Sequence, residues 1–134
     1  MLDRSAPMVA QADYMSHVAD QEAEAAAALI RILLDRGYAV TVNDGRKEVL
    51  HRSIEHDAIL GAMGSNGEDS IVCHDEHGDR VAWFLLLYGR GPTFLIADHT
   101  DNRYAASVRN AWEDEVATAV AGARAPDQAG AAGA

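Results

Sequence analysis

The chain has 134 residues, 49% of them hydrophobic and 24% charged, a balance typical of a globular domain. Acidic residues outnumber basic ones by 21 to 11, and the net charge of −10 argues against direct binding of nucleic acid, whose phosphates would be repelled. Cys73 is the single cysteine, which excludes an intramolecular disulfide and a zinc site built on several thiolates. The sequence has no apolar leader region and no run of about 20 apolar residues, so we expect no membrane contact and a cytoplasmic location.

Hydrophobic periodicity divides the chain into three parts. We predict one α+β domain over residues 13–121. Residues 1–12 show weak periodicity and are expected to be poorly ordered. Residues 122–134 are rich in alanine and glycine and offer little apolar surface for anchoring, so we expect a flexible tail.

The first predicted element is a helix. Apolar side chains recur every three or four residues between Asp13 and Arg36, which is the pattern of one buried stripe. The stripe also contains a carboxylate, Glu22. Gly37 suits the left-handed residue that ends a helix, and Asn43-Asp44-Gly45 has the composition of a tight turn between two strands.

The remaining elements follow from the same kinds of pattern, with Ser53 and Thr100 as predicted N-caps of two further helices. The predicted elements are, in chain order, helix 13–36, strands 38–43 and 47–52, helix 54–63, strands 70–74, 80–88 and 93–97, and helix 101–121. Because most connections between strands have hairpin length, neighbouring strands should be antiparallel. We therefore predict an α+β fold, an antiparallel meander of about five strands with helices packed against it, in the order α-β-β-α-β-β-β-α.

The segment from Val81 to Tyr88 is the most informative part of the sequence. Its eight residues include no charge, and turn residues flank it on both sides. A short apolar run of this kind indicates a strand that is buried on both faces. An antiparallel sheet normally leaves one face to water, so either the chain's own helices or a second subunit must cover the other face.

Residues with catalytic or metal-binding chemistry are few. His74, His77 and His99 could contribute with nearby carboxylates to a metal-dependent or small-molecule site, but their spacing matches no established zinc pattern. Cys73 lies within a predicted strand, where it is expected to be a core residue. Gly89-Arg90-Gly91-Pro92 lacks the lysine of a phosphate-binding loop and is predicted to be a turn. We predict no catalytic residue, no metal ligand and no cofactor.

Three classes of function remain, and the sequence favours a protein-interaction domain, with a second copy of the chain as the leading partner. Trp83, Tyr88 and Arg90 are the predicted partner-binding residues, since these residue types dominate the centres of interfaces. One alternative is a small-molecule-binding or metal-dependent enzyme domain that uses the histidine and aspartate cluster. Another is an acidic nucleic-acid mimic that inhibits a DNA-binding or RNA-binding protein.

Overall fold

The computed structural model describes the backbone of residues 18–133 and the side chains of residues 18–121. The elements are, in chain order, helix α1 (Asp20–Asp35), strands β1 (Ala39–Asn43) and β2 (Glu48–Ser53), helix α2 (His56–Gly61), strands β3 (Glu68–His74) and β4 (Arg80–Leu87), a 3₁₀ turn (Pro92–Phe94), strand β5 (Ile96–His99) and helix α3 (Arg103–Gly133). The predicted α+β class and the predicted order of elements are confirmed. The expected poorly ordered segment 1–12 and residues 13–17 of the first predicted helix lie outside the described residues.

The five strands form one antiparallel sheet in the order β2-β1-β3-β4-β5. Strands β3, β4 and β5 follow one another as a meander. The first hairpin joins this meander through β1, which pairs with β3, so β2 and β5 form the two edges of the sheet. Helix α2 lies in the connection that brings the chain back from β2, at one edge, to β3 in the middle.

Several boundaries differ from the sequence prediction. Helix α1 begins at Asp20, because Val18 and Ala19 are not helical, and the bounds of α2 and the start of β3 are shifted by two residues. Strand β5 begins at Ile96 rather than at residue 93, because Pro92 starts a 3₁₀ turn; proline has no N–H and its φ is fixed, so it suits the first position of a helical turn. Helix α3 ends at Gly133, beyond the predicted end at residue 121. The mobility expected for residues 122–134 stays a prediction. Among the described residues, no helix combines the length and the apolar character that crossing a membrane requires.

The two predicted N-caps have other roles in the structure. Ser53 is the last residue of β2, and its hydroxyl accepts the N–H of Glu55 at 3.0 Å. The carboxamide oxygen of Asn102, not the hydroxyl of Thr100, accepts the N–H of Ala105 at 2.9 Å at the start of α3. Both predictions placed the cap too early, because Ser and Thr also stabilise turns just before a helix.

The core lies between the helices and one side of the sheet, here called the inner face. Helix α1 contacts both α2 and α3, so all three helices pack on the same side. Alternate strand residues point into this core, and the fully buried members are Val40, Val42, Ile71, Cys73, Phe84 and Leu86. The alanines of α1 leave room for α3, where the indole of buried Trp112 reaches across and donates a hydrogen bond to the carbonyl oxygen of Ala25 at 2.8 Å.

Candidate functional site: the outer face of the sheet

The opposite side of the sheet, here called the outer face, carries an apolar strip. Directly paired residues of antiparallel strands share a face, and the pairs Val72 with Trp83 and Ser70 with Leu85 alternate with the buried inner pairs. Leu87 extends the strip, and the side chains of Val72, Leu85 and Leu87 are only partly covered. The helices pack on the other side, so the strip faces outward from the described part of the chain.

Trp83 is the most exposed apolar residue of the outer face, with 37% of its surface accessible. The backbone at this position is held from the neighbouring chain segment, since the N–H of Trp83 donates to the hydroxyl of Thr100 at 2.6 Å and the N–H of Thr100 donates to the carbonyl oxygen of Trp83 at 3.1 Å. A shallow cavity of about 260 Å³ opens beside Trp83, and Ser70, Val72 and Arg80 are among the other residues that line it. The backbone that carries the tryptophan is therefore held in place on the outer face.

Polar side chains occupy the outer face next to this strip, on β1 and at the end of β3. His74 is buried, and its Nε2 lies 2.9 Å from the hydroxyl of Thr41, which also accepts the N–H of Arg52 at 3.0 Å. Burial lowers the pKa of His74, and the positive charges of Arg52 and Arg80 lower it further. The lowered pKa favours the neutral ring, which is hydrogen-bonded to Thr41 within the sheet.

The structure separates the three predicted partner-binding residues. Trp83 lies on the outer face, whereas Tyr88 directly follows β4 and packs against the core. Its hydroxyl donates a short hydrogen bond of 2.5 Å to a carboxylate oxygen of Asp69. Arg90 is exposed in the loop between β4 and the 3₁₀ turn. The three side chains therefore do not form one surface, and Trp83 alone belongs to the apolar strip.

Asp69 is a fully buried carboxylic acid on the inner face. One of its oxygens accepts the N–H of Gly64 at 2.8 Å as well as the Tyr88 hydroxyl, and the other has no hydrogen-bond partner among the described residues. Burial raises the pKa of Asp69 from 3.8 to about 6, although both hydrogen bonds act in the opposite direction. Burial beside this carboxylate also raises the pKa of the Tyr88 phenol well above its ordinary value.

A second buried carboxylate, Glu22, joins α1 to the loop after β4. Its two oxygens accept the N–H of Gly89 at 2.8 and 3.0 Å, and one of them accepts the N–H of Gly91 at 2.6 Å. Gly89 and Gly91 have φ of +97° and +98°, a backbone conformation that favours glycine. Successive N–H groups turned to one side form an anion-binding concavity. The chain fills that concavity with its own glutamate.

The histidine cluster considered from the sequence is not assembled. His77 is exposed in the turn between β3 and β4, and His99 lies on β5, on the far side of β4 from His74. The ring of His99 packs beside Phe84, and its Nδ1 is 2.8 Å from the carbonyl oxygen of Thr100. Within the residues whose side chains are described, no three histidine, cysteine, aspartate or glutamate residues are grouped as a metal site requires.

Cys73 is confirmed as a core residue. Its side chain is fully buried on the inner face, and burial raises the pKa of the thiol to about 12. The neutral thiol is a weak nucleophile, so the environment of this cysteine favours packing over reactivity.

The buried acids were not identified from the sequence as functional or structural groups. For Glu22, the signal was its position on the otherwise apolar stripe of α1. For Asp69, the signal was alternation, because it shares the inner face with Ile71 and Cys73 two and four residues further on. Both carboxylates occupy positions at which an apolar residue would be expected. Only their distant partners explain them.

The chain matches no protein-family model, and no curated protein or solved structure is significantly similar to it.

Proposed function

We propose that this chain is a protein-interaction domain that pairs with a second copy of itself through the outer face of the sheet. The carrying observation is the apolar strip of Val72, Trp83, Leu85 and Leu87, in which Trp83 keeps 37% of its surface exposed. A rigid aromatic residue with apolar neighbours is the usual centre of a protein interface. The cytoplasmic location expected from the sequence stays part of the proposal.

The size of the outer face suits a small symmetric interface. Five strands at a spacing of about 4.8 Å, with about 3.3 Å per residue along them, give a flat footprint of roughly 500 Å². Projecting side chains raise the accessible area of this surface toward the roughly 600 Å² per partner found at the lower end of stable interfaces. We therefore expect a reversible dimer whose population depends on protein concentration.

The composition of the outer face is compatible with a dimer whose subunits are also stable as folded monomers. Ser70 lies within the apolar strip, whereas Thr41 and His74 beside it are buried, and a surface that mixes polar with apolar residues is typical of non-obligate interfaces. Two identical sheets packing face to face bury the same residues on both sides, as a closed two-fold arrangement requires. Aligned packing of two sheets about 10 Å apart has the right geometry.

Sedimentation equilibrium from micromolar to millimolar concentration tests the proposal. The unmodified chain should change from monomer to dimer, and Trp83→Ser should weaken dimerisation by at least about 30-fold, the loss of roughly 2 kcal/mol expected at an interface centre. Phe94→Ser is the matched control, since Phe94 is 60% exposed on the 3₁₀ turn, away from the outer face; it should leave association unchanged.

Two outcomes would overturn this proposal. One is a chain that stays monomeric throughout this concentration range. If a variant lacking residues 1–17 then dimerised, we would conclude that these residues cover the outer face in the full chain. The other is a dimer that Trp83→Ser and Phe94→Ser affect equally, which would place the interface elsewhere.

A further inference from the structure

We propose that the two copies pack with their strands antiparallel across the interface, so that Arg80 of each copy meets Glu68 of the other. This inference rests on the proposed function, because it specifies the orientation of the second copy on the same outer face. It adds two ion pairs to the apolar contacts of the strip.

The two charges lie at opposite ends of the outer face. Glu68 is paired in register with Leu87, at the end of β4, whereas Arg80 is paired with His74, at its beginning. Leu87 is seven positions after Arg80 along β4, which corresponds to about 23 Å at ~3.3 Å per residue. Arg80 is paired with His74, which belongs to the outer face, and directly paired residues share a face.

Neither charge is neutralised within the described part of the chain. The ion pairs found among the described side chains are Arg31 with Glu115, His51 with Glu48, His56 with Asp57 and Arg109 with Glu113, and they include neither Arg80 nor Glu68. The side chain of Glu68 lies over Gly45, where an added Cβ would come within 3.2 Å of a Glu68 carboxylate oxygen. Both groups are thus available to a partner.

Two other carboxylates, one near each end of the outer face, are engaged in turns. In the turn before Arg80, a carboxylate oxygen of Asp75 accepts the N–H groups of His77 and Asp79 at 2.9 and 3.0 Å. In the hairpin near Glu68, Asp44 accepts the N–H groups of the two residues that follow Gly45, at 3.0 and 3.1 Å. These acids stabilise their own loops, and the register of β3 with β4 places Glu68 on the outer face.

The positions of Arg80 and Glu68 distinguish between two possible orientations of a symmetric dimer. A two-fold axis that lies between the sheets and perpendicular to the strands brings Arg80 of each copy to Glu68 of the other, and so forms two ion pairs. An axis parallel to the strands would instead place Arg80 against Arg80, and like charges in an interface are unfavourable. Trp83 lies near the midpoint between the two charges, and the perpendicular axis therefore passes close to it. The result is an apolar centre with a charged rim.

Charge reversal tests the orientation. Arg80→Glu and Glu68→Arg should each weaken homodimerisation by about tenfold, since each variant replaces two attractions by two repulsions. An equimolar mixture of the two variants should form a heterodimer with an affinity near that of the unmodified chain. The matched controls are Arg109→Glu and Glu113→Arg on α3, which change the net charge equally at a distance from the sheet and should not alter association.

Cysteine cross-linking separates the two orientations directly. A mixture of Arg80→Cys and Glu68→Cys should form a disulfide-linked heterodimer on oxidation, whereas neither variant alone should cross-link. The native Cys73 is fully buried and will not compete. Rapid cross-linking of Arg80→Cys with itself, in a chain that dimerises through Trp83, would overturn the orientation and leave the proposed function standing. If the unmodified chain never dimerises, the proposed function fails and the orientation with it.

Discussion

The two faces of strand β4 have nearly the same hydrophobicity and different surroundings. Ala82, Phe84 and Leu86 are buried under the helices, whereas Trp83 between them is more than one-third exposed. Helices α1 and α3 pack on each other as well as on the sheet, so both cover the inner face. An uninterrupted apolar strand therefore demands cover on two sides, and in the described residues the chain provides it on one.

Substitutions on the inner face should have the largest effect on the free energy of unfolding. Phe84→Ala removes a fully buried ring and should reduce the free energy of unfolding by about 3–5 kcal/mol. The neighbouring Trp83→Ala should reduce it by clearly less, about 1–2 kcal/mol, at concentrations where the chain is monomeric, because more than one third of the Trp83 surface is already exposed to water.

Urea denaturation of both variants at low micromolar concentration measures this difference. If Trp83→Ala destabilised the monomer as much as Phe84→Ala, the contrast between the two faces would be wrong, and the outer face would have to be covered within one chain.

The next largest effect concerns the buried acid of the inner face. Because the pKa of Asp69 is raised from 3.8 to about 6 by burial, the folded state holds its proton more tightly than the unfolded state does. The stability from this group is thus complete below about pH 4 and is lost as the pH rises through 6. Relative to Asp69→Asn, the unfolding free energy of the unmodified chain should fall by about 3 kcal/mol across this window.

Urea denaturation at half-unit steps from pH 4 to pH 7.5 gives the required comparison. Asp98→Asn, which replaces an exposed carboxylate of β5, is the matched control and should not reproduce the pH-dependent difference. Parallel pH profiles for the unmodified chain and Asp69→Asn would contradict the assignment of the proton to Asp69.

A smaller effect is expected where α1 meets the loop after β4. Glu22→Gln replaces one of two accepting oxygens by an N–H₂ group that faces the N–H groups of Gly89 and Gly91. Loss of a charge-assisted hydrogen bond in a buried setting should reduce the free energy of unfolding by about 2 kcal/mol. Amide hydrogen exchange should also become faster at these two glycines.

Glu24→Gln provides the control for this change, since Glu24 is exposed on the same helix. It should alter neither the unfolding free energy nor the exchange rates in the loop. Equal behaviour of the two variants would mean that the contact of Glu22 with the glycine loop contributes nothing to stability.

Local patterns accounted for most of the fold and little of the candidate site. The hairpin at Asn43-Asp44-Gly45, the helix end at Gly37 and the alternation in β3 follow from residues close in sequence, and the structure agrees with them. The N-caps were misplaced because Ser53 and Thr100 bond to neighbouring turns and strands rather than to the helix. Tyr88 was predicted to bind a partner from its residue type, and its bond to Asp69, nineteen residues away, leaves no local pattern in the sequence.

The sequence alone determined the class of fold and the order of its elements, since hydrophobic period and turn chemistry act over a few residues. It also identified β4 as a strand with two apolar faces. Only the tertiary structure decided which face the helices cover, because that depends on how α1 and α3 fit against each other through Ala25 and Trp112. The same packing decided that Glu22 and Asp69 are buried and that Trp83 is exposed.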